Sequence, residues 1–176
     1  KIDFKNKKKI ISFVGKLNHA KGYDLFGKAI LKILGKHKNW KAEVFGDEPR
    51  EKLIYKHKNL INYGFKSNKK VLNHLEKVSI SVICSRWQEP FGRASLEASS
   101  RGCAVIISNS GGLTETTKSA IILKKLDVHN IYHEIDKLIN NKTLLLKKQK
   151  ENYKNFKLTH TYVSNLIDNI RDGLVS

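Results

Sequence analysis

Short apolar runs alternate with longer segments of helical period along most of the chain. Ile10-Ile11-Ser12-Phe13-Val14 is dense in β-branched and aromatic residues and stops at Gly15, which predicts a buried strand. Phe26, Ile30, Ile33 and Leu34 then recur at the i, i+4, i+7, i+8 spacing, which predicts a helix with Asp24 in its first turn and Gly35 as its C-terminal stop. Residues 42–45 before Gly46 and residues 60–63 before Gly64 read as the second and third strands. Ser67 is a good N-cap for a helix carrying Val71, Leu72, Leu75 and Val78. A fourth strand is predicted at 79–84, a helix entered by Pro90 at 91–101, a fifth strand at 103–108 and a sixth at 120–123. From Asp127 onwards three helical patterns follow, the last with Val163, Leu166, Ile167 and Ile170.

Continuous apolar strands alternating with amphipathic helices are what a parallel sheet covered on both faces requires. The fold class expected is therefore α/β, a Rossmann-like doubly wound parallel sheet of about six strands with a C-terminal helical tail. At 176 residues, with no internal repeat and no long linker, the chain reads as one domain spanning 1–176. It starts with Lys1 and contains no Met, so the expectation is a piece of something longer. No apolar run of about 18 residues occurs, which excludes a membrane span in the sequence as given.

Composition changes the picture in one respect. The formal net charge is +18, from 34 Lys+Arg against 16 Asp+Glu, so anionic partners come first. The cations are mostly Lys scattered among Asn and Ile, a pattern that ordinary surface positions also produce, and the runs at 5–9 and 147–150 read as solvated faces. Aromatic residues do not interleave with the basic runs, so a nucleic-acid-binding module is the rival reading rather than the favoured one. Cys84 and Cys103 border apolar runs outside any CxxC pair and read as buried, reduced thiols. His129 and His133 lack the intervening Glu of a zinc motif, and Ser108 and Ser110 lack a nucleophile elbow.

In an open parallel sheet, ligands bind beyond the carboxyl ends of the strands. The segment after the first strand, Gly15-Lys16-Leu17-Asn18-His19-Ala20-Lys21-Gly22, places two lysines in a loop that opens a helix, which suits a diphosphate. The segment after the fourth strand, residues 85–98, brings Glu89, Pro90 and Gly92 to a helix start. Pro90 at the first helical position would leave the amides of Phe91, Gly92 and Arg93 free to bind an anion. Gly92 would remove a side chain where a ligand approaches, and Glu97, about two turns into the helix, would need hydrogen-bond donors such as sugar hydroxyls.

The element EPFGRASLE from Glu89 to Glu97, followed by Gly102-Cys103-Ala104-Val105-Ile106 and Ser110-Gly111-Gly112-Leu113-Thr114-Glu115, resembles the signature of family four of the retaining glycosyltransferases, the glycosyl transferases group 1. The opening FVGKLNHAKG resembles that family's phosphate-binding loop, so the likeness runs from Ile10 to Glu115. It implies the C-terminal, nucleotide-sugar-binding half of a GT-B enzyme whose N-terminal acceptor domain lies outside this chain. By the resemblance, Gly15, Lys16 and Lys21 meet the donor diphosphate and Glu97 bonds the ribose. Glu89 contacts hydroxyls of the transferred sugar, the amides of Phe91, Gly92 and Arg93 receive sugar and phosphate oxygens, and Gly64, Phe65 and Lys66 lie along the nucleobase.

The implied partners are a UDP-sugar or GDP-sugar donor, an acceptor sugar or lipid-linked glycan of the cell envelope, and the protein's own N-terminal domain. No cofactor or metal is expected, and neither a DxD element nor clustered His residues occur. The implied location is cytoplasmic, with peripheral contact to anionic lipid at the cytoplasmic face of the inner membrane. Three positions depart from the family pattern: Lys16 stands where Arg is usual, Arg93 where an apolar residue is usual, and Ala104 where Pro is common. A nucleotide-sugar epimerase on the same fold is the alternative enzyme reading.

Overall fold

The computed structural model describes residues 2–175. Six parallel strands form one sheet: β1 (Lys8–Val14), β2 (Lys41–Phe45), β3 (Leu60–Asn62), β4 (Val78–Ile83), β5 (Ala104–Ile107) and β6 (Ile121–Ile122). Between and after them run α1 (Tyr23–Lys36), α2 (Asn68–Leu75), α3 (Arg93–Ser100), α4 (Leu113–Thr116), α5 (Val128–Asn140), α6 (Lys142–Asn155) and α7 (His160–Val175). The strand order is β3-β2-β1-β4-β5-β6, so the chain winds outward from β1 in one direction and then returns to its other side. The reversal falls between β1 and β4, the crevice where a doubly wound sheet takes its ligands.

Alternation along the strands divides the core in two. Ile11 and Phe13, Ala42 and Val44, Ile80 and Val82, and Ala104 and Ile106 face α1 and α5, against Phe26, Ile30, Ile33, Ile131 and Ile135. Ile10, Phe45, Val105 and Ile107 face the other way, against Val71 and Leu75 of α2 and Ala98 of α3. Every residue of β4 is buried, which explains its unbroken apolar run. Two of the buried polar residues in mid-sheet satisfy each other: Ser12 and Ser81 are register partners, and the Ser12 hydroxyl donates to the Ser81 hydroxyl at 3.0 Å.

Several expectations are corrected. The third strand ends at Asn62, so Tyr63 lies outside it. Gly35 does not stop the first helix, which runs through to Lys36 and is capped by the His37 amide donating to the Ile33 carbonyl at 2.7 Å. Ser67 sits at the N-cap position of α2 without a side-chain capping bond. Pro90 precedes its helix, which starts at Arg93 behind Gly92 in the left-handed region at φ 72°.

The Lys run at 5–9 is not all solvated face. Lys7 sends its Nζ inward to the carbonyls of Leu75 and Arg101 at 3.1 and 2.6 Å, at the C-terminal ends of α2 and α3 where unpaired carbonyls concentrate, and to that of Val78 at the start of β4 at 2.8 Å. Burial pulls its pKa down, with the Cys103 thiol and Glu76 acting in opposition. Cys84 and Cys103 are both free and buried, as expected.

Candidate active site

At the carboxyl ends of β1 and β4 the two strands open a cleft of about 350 Å³, lined by Gly15, Lys21, Ser85, Glu89 and residues 90–94. A second hollow of about 280 Å³ adjoins it across Val14 and Gly15, and holds Lys16, Asp47, Phe65 and Lys66. The two together run from the start of α3 to the turn after β3. They gather Gly15, Lys16, Lys21, Phe65, Lys66, Glu89, Phe91, Gly92 and Arg93 into one continuous groove.

The loop after β1 is tied to the loop after β4. The amides of Arg86 and Trp87 both donate to the Ala20 carbonyl, at 2.8 and 3.1 Å. The Arg86 guanidinium reaches the His19 carbonyl and clasps both oxygens of Asp24, at 2.6 and 2.9 Å. Burial pushes the Asp24 carboxyl up, and the guanidinium outweighs it, leaving the group below the ordinary carboxylate range. Within the loop, Asn18 Oδ1 accepts from the Lys21 amide at 2.9 Å, which sets where the Lys21 side chain departs.

That side chain ends on Glu89: Lys21 Nζ donates to Glu89 Oε1, with the two side chains 29% and 14% exposed. Glu89 is held from behind by its main chain, which bridges to Gly111 and accepts from the Gly112 amide at 2.6 Å. A Cβ on Gly111 would stand 2.5 Å from the Glu89 carbonyl oxygen, and φ there is +56°, so a side chain is excluded twice over. The hydroxyls of Ser108 and Ser110 both donate to the Ser85 carbonyl, at 2.7 and 2.8 Å, fixing the turn out of β4. These serines are braces rather than nucleophiles.

Lys16 is exposed and held by no ion pair among the described residues. Its charge still reaches Glu48, whose carboxyl is drawn down to about 2 chiefly by the Arg50 guanidinium at 2.7 Å. At the start of α3 the amides of Phe91, Gly92, Arg93 and Ala94 have no protein acceptor among the described residues, whereas the Ser95 amide is used by the Gly92 carbonyl at 3.1 Å. The free donors therefore include Ala94 beyond the three expected, because the helix starts later than Pro90 predicts.

Gly92 lines the cleft, and packing also requires that it carry no side chain. A Cβ there would meet Leu113 Cδ2 at 2.6 Å and Ser95 Oγ at 3.1 Å, so the residue keeps α3 and α4 close. Glu97 lies one turn into α3, outside the lining of both hollows, and accepts from Asn68 Nδ2 at 2.7 Å, with the Arg93 guanidinium at 3.7 Å. Gly64, at φ +65°, shapes the turn after β3, and its carbonyl accepts from the Gly46 amide at 3.0 Å. The Arg86–Asp24 clasp and the bracing of Glu89 by Gly111 and Gly112 had no local signal, since the partners are distant in sequence. Among the described residues no group of three or more His, Cys, Asp or Glu is placed to hold a metal ion.

The chain is 34% identical over 128 residues to an uncharacterised glycosyltransferase of Methanocaldococcus jannaschii, covering 68% of this chain and 32% of that protein. The crystal structure of the C-terminal domain of a glycosyl transferase group 1 family protein from Francisella tularensis superposes with a TM-score of 0.74 at 24% identity, covering 85% of this chain and 87% of that one. Anabaena HepE, solved in complex with UDP-glucose, gives a TM-score of 0.73 at 16% identity over 94% of this chain and 49% of its own. The chain thus spans about a third of the length of the curated relatives it matches. Residues 1–156 match the glycosyl transferases group 1 as a family, and with the sheet order and the groove at its switch point the chain belongs to that family.

Proposed function

We propose that this chain is the donor domain of a retaining glycosyltransferase, binding a UDP-sugar or GDP-sugar in the groove between β1 and β4. The observation that carries the reading is the convergence of Lys21, Glu89 and the unpaired amides of α3 on one cleft. Diphosphate is a strong leaving group once its growing charge is stabilised, and an ammonium group and helix amides aimed at one place supply that stabilisation. Lys16 adds a second cation from the adjoining hollow, where Phe65 and Lys66 border the space for the base. Glu97 is the ribose partner, exchanging its bond from Asn68 for the ligand's hydroxyls.

Glu89 is the carboxylate that lines the cleft, and retention through a covalent intermediate calls for two carboxyls at about 5 Å. Departure and attack on the same face of the sugar, within an ion pair, fits the groove better. The scheme uses no metal and takes its acceptor from an N-terminal half supplied by the whole protein. The distribution of lysines supports a lipid-linked or cell-envelope acceptor. Lys8, Lys9 and Lys142 border one hollow, Lys147, Lys150 and Lys154 another, and the two meet at exposed Leu146, a composition suited to anionic headgroups at the cytoplasmic face of a membrane. Among the described residues no helix is long and apolar enough to cross a membrane.

A thermal-shift panel with UDP, GDP, ADP and a short DNA duplex, followed by calorimetry on each hit, tests the donor reading. Selective stabilisation by one nucleoside diphosphate supports it, and a shift with DNA alone replaces it with a nucleic-acid-binding module. Pelleting with acidic liposomes at moderate salt tests the membrane contact, and no enrichment over neutral liposomes removes it.

A further inference from the structure

Lys21 and Glu89 come from loops after different strands, yet the ammonium group is already satisfied by the carboxylate before any ligand arrives. Both ends are anchored, Lys21 by its amide on Asn18 Oδ1 and Glu89 by Gly111 and Gly112. Neither side chain is well solvated, at 29% and 14% exposure, so separating them leaves each in need of a replacement partner. A phosphate that takes Lys21 strips Glu89 of its cation and sets new negative charge beside it.

We propose that Glu89 gates Lys21, so that the site favours an intact sugar nucleotide over the bare nucleoside diphosphate; the inference rests on the donor-domain reading above. An intact donor brings sugar hydroxyls that donate to the freed carboxylate, replacing what the ammonium gave it. A bare diphosphate brings no such donors, and its terminal phosphate carries more charge to the same place. Lys16, outside any ion pair among the described residues, is open to either ligand without displacing a carboxylate. Once the sugar has been transferred its hydroxyls leave with it, Glu89 reclaims Lys21, and the product diphosphate loses a cation. The gate therefore works as a device for product release.

Calorimetry on the 176-residue chain tests this with four probes, UDP, UDP-glucose, GDP and GDP-mannose. Glu89→Gln keeps the side chain's shape and removes its charge. The expected result is a gain of about tenfold or more in affinity for the bare diphosphate, with affinity for the sugar nucleotide unchanged or weaker, so that the preference collapses. Lys21→Ala weakens both ligands, and in that background Glu89→Gln changes diphosphate affinity by less than about threefold. Glu89→Asp, which withdraws the carboxylate by one methylene, shifts the preference in the same direction and serves if the Gln variant fails to fold. A wild-type chain that binds one of the pairs, with diphosphate affinity unmoved in both Glu89 variants, overturns the gate and leaves the donor reading standing. A wild-type chain that binds none of the four probes overturns both.

Discussion

Arg86 grips Asp24 with both arms of its guanidinium, at 2.6 and 2.9 Å, and so ties the first residue pattern of α1 to the loop that leaves β4. The same guanidinium holds the His19 carbonyl, and the Arg86 amide holds Ala20. One residue therefore sets the spacing between the loop that carries Lys21 and the loop that carries Glu89. The groove depends on this clasp although Arg86 itself does not line it.

Arg86→Ala should lower stability by about 1–2 kcal/mol, less than for a fully buried pair because the Arg86 side chain is 39% exposed. Asp24→Asn should act in the same direction, with a pH signature. The folded-state pKa of Asp24 lies below its ordinary value, so its contribution is complete above the unfolded carboxyl range and is lost as pH falls through the folded value. Urea unfolding of the wild type and Asp24→Asn at neutral pH and near pH 3 should show the gap between them closing in acid. Nucleotide affinity should fall in both variants, because Lys21 and Glu89 lose their common spacing.

Two glycine substitutions should move stability in opposite directions. Gly111→Ala puts a Cβ 2.5 Å from the Glu89 carbonyl at φ +56°, and should cost about 1–3 kcal/mol while displacing Glu89. Gly35→Ala meets nothing within 4 Å inside α1 and should stabilise by about 0.5–1 kcal/mol. Thermal unfolding of both reports the signs, and calorimetry with a sugar nucleotide should show a loss for Gly111→Ala alone.

Glu97→Ala should weaken UDP and UDP-glucose, or their GDP counterparts, by equal factors, since a ribose contact is common to both. Asn68→Ala, which frees Glu97 from its 2.7 Å bond, should leave or raise nucleotide affinity. A loss confined to the sugar nucleotide would move Glu97 from the ribose to the sugar.

The order and type of the major elements were legible because periodicity and Gly punctuation are local properties, and the strands from Ile10 to Ile107 follow it closely. The same holds for the cleft lysines and Glu89, which lie where strand ends must lie in an open sheet. What the chain hides is everything settled by distant neighbours. Pro90 has the chemistry of a first helical residue, but Glu89 is drawn into a bridge with Gly111, so the helix waits until Arg93. Helix α4 spans only Leu113–Thr116, too short for a period to register. A Lys among four charged or polar neighbours reads as surface, and only the folded sheet reveals that Lys7 faces inward.

Lys7 offers the sharpest pH test. Its Nζ caps three carbonyls at the ends of α2, β4 and α3, so Lys7→Met should destabilise the chain at neutral pH by about 2 kcal/mol through donors lost to buried acceptors. Burial places its folded-state pKa below 10.5, so between those two values the unfolded state binds the extra proton and stability rises with pH. That slope is absent from Lys7→Met, and beyond Lys7 itself only its electrostatic neighbours Cys103 and Glu76 titrate differently in the two proteins. The stability gap measured by urea unfolding should therefore widen from pH 7 to pH 10. A gap that narrows over this range would mean that the carbonyls stabilise the charged ammonium more than burial penalises it.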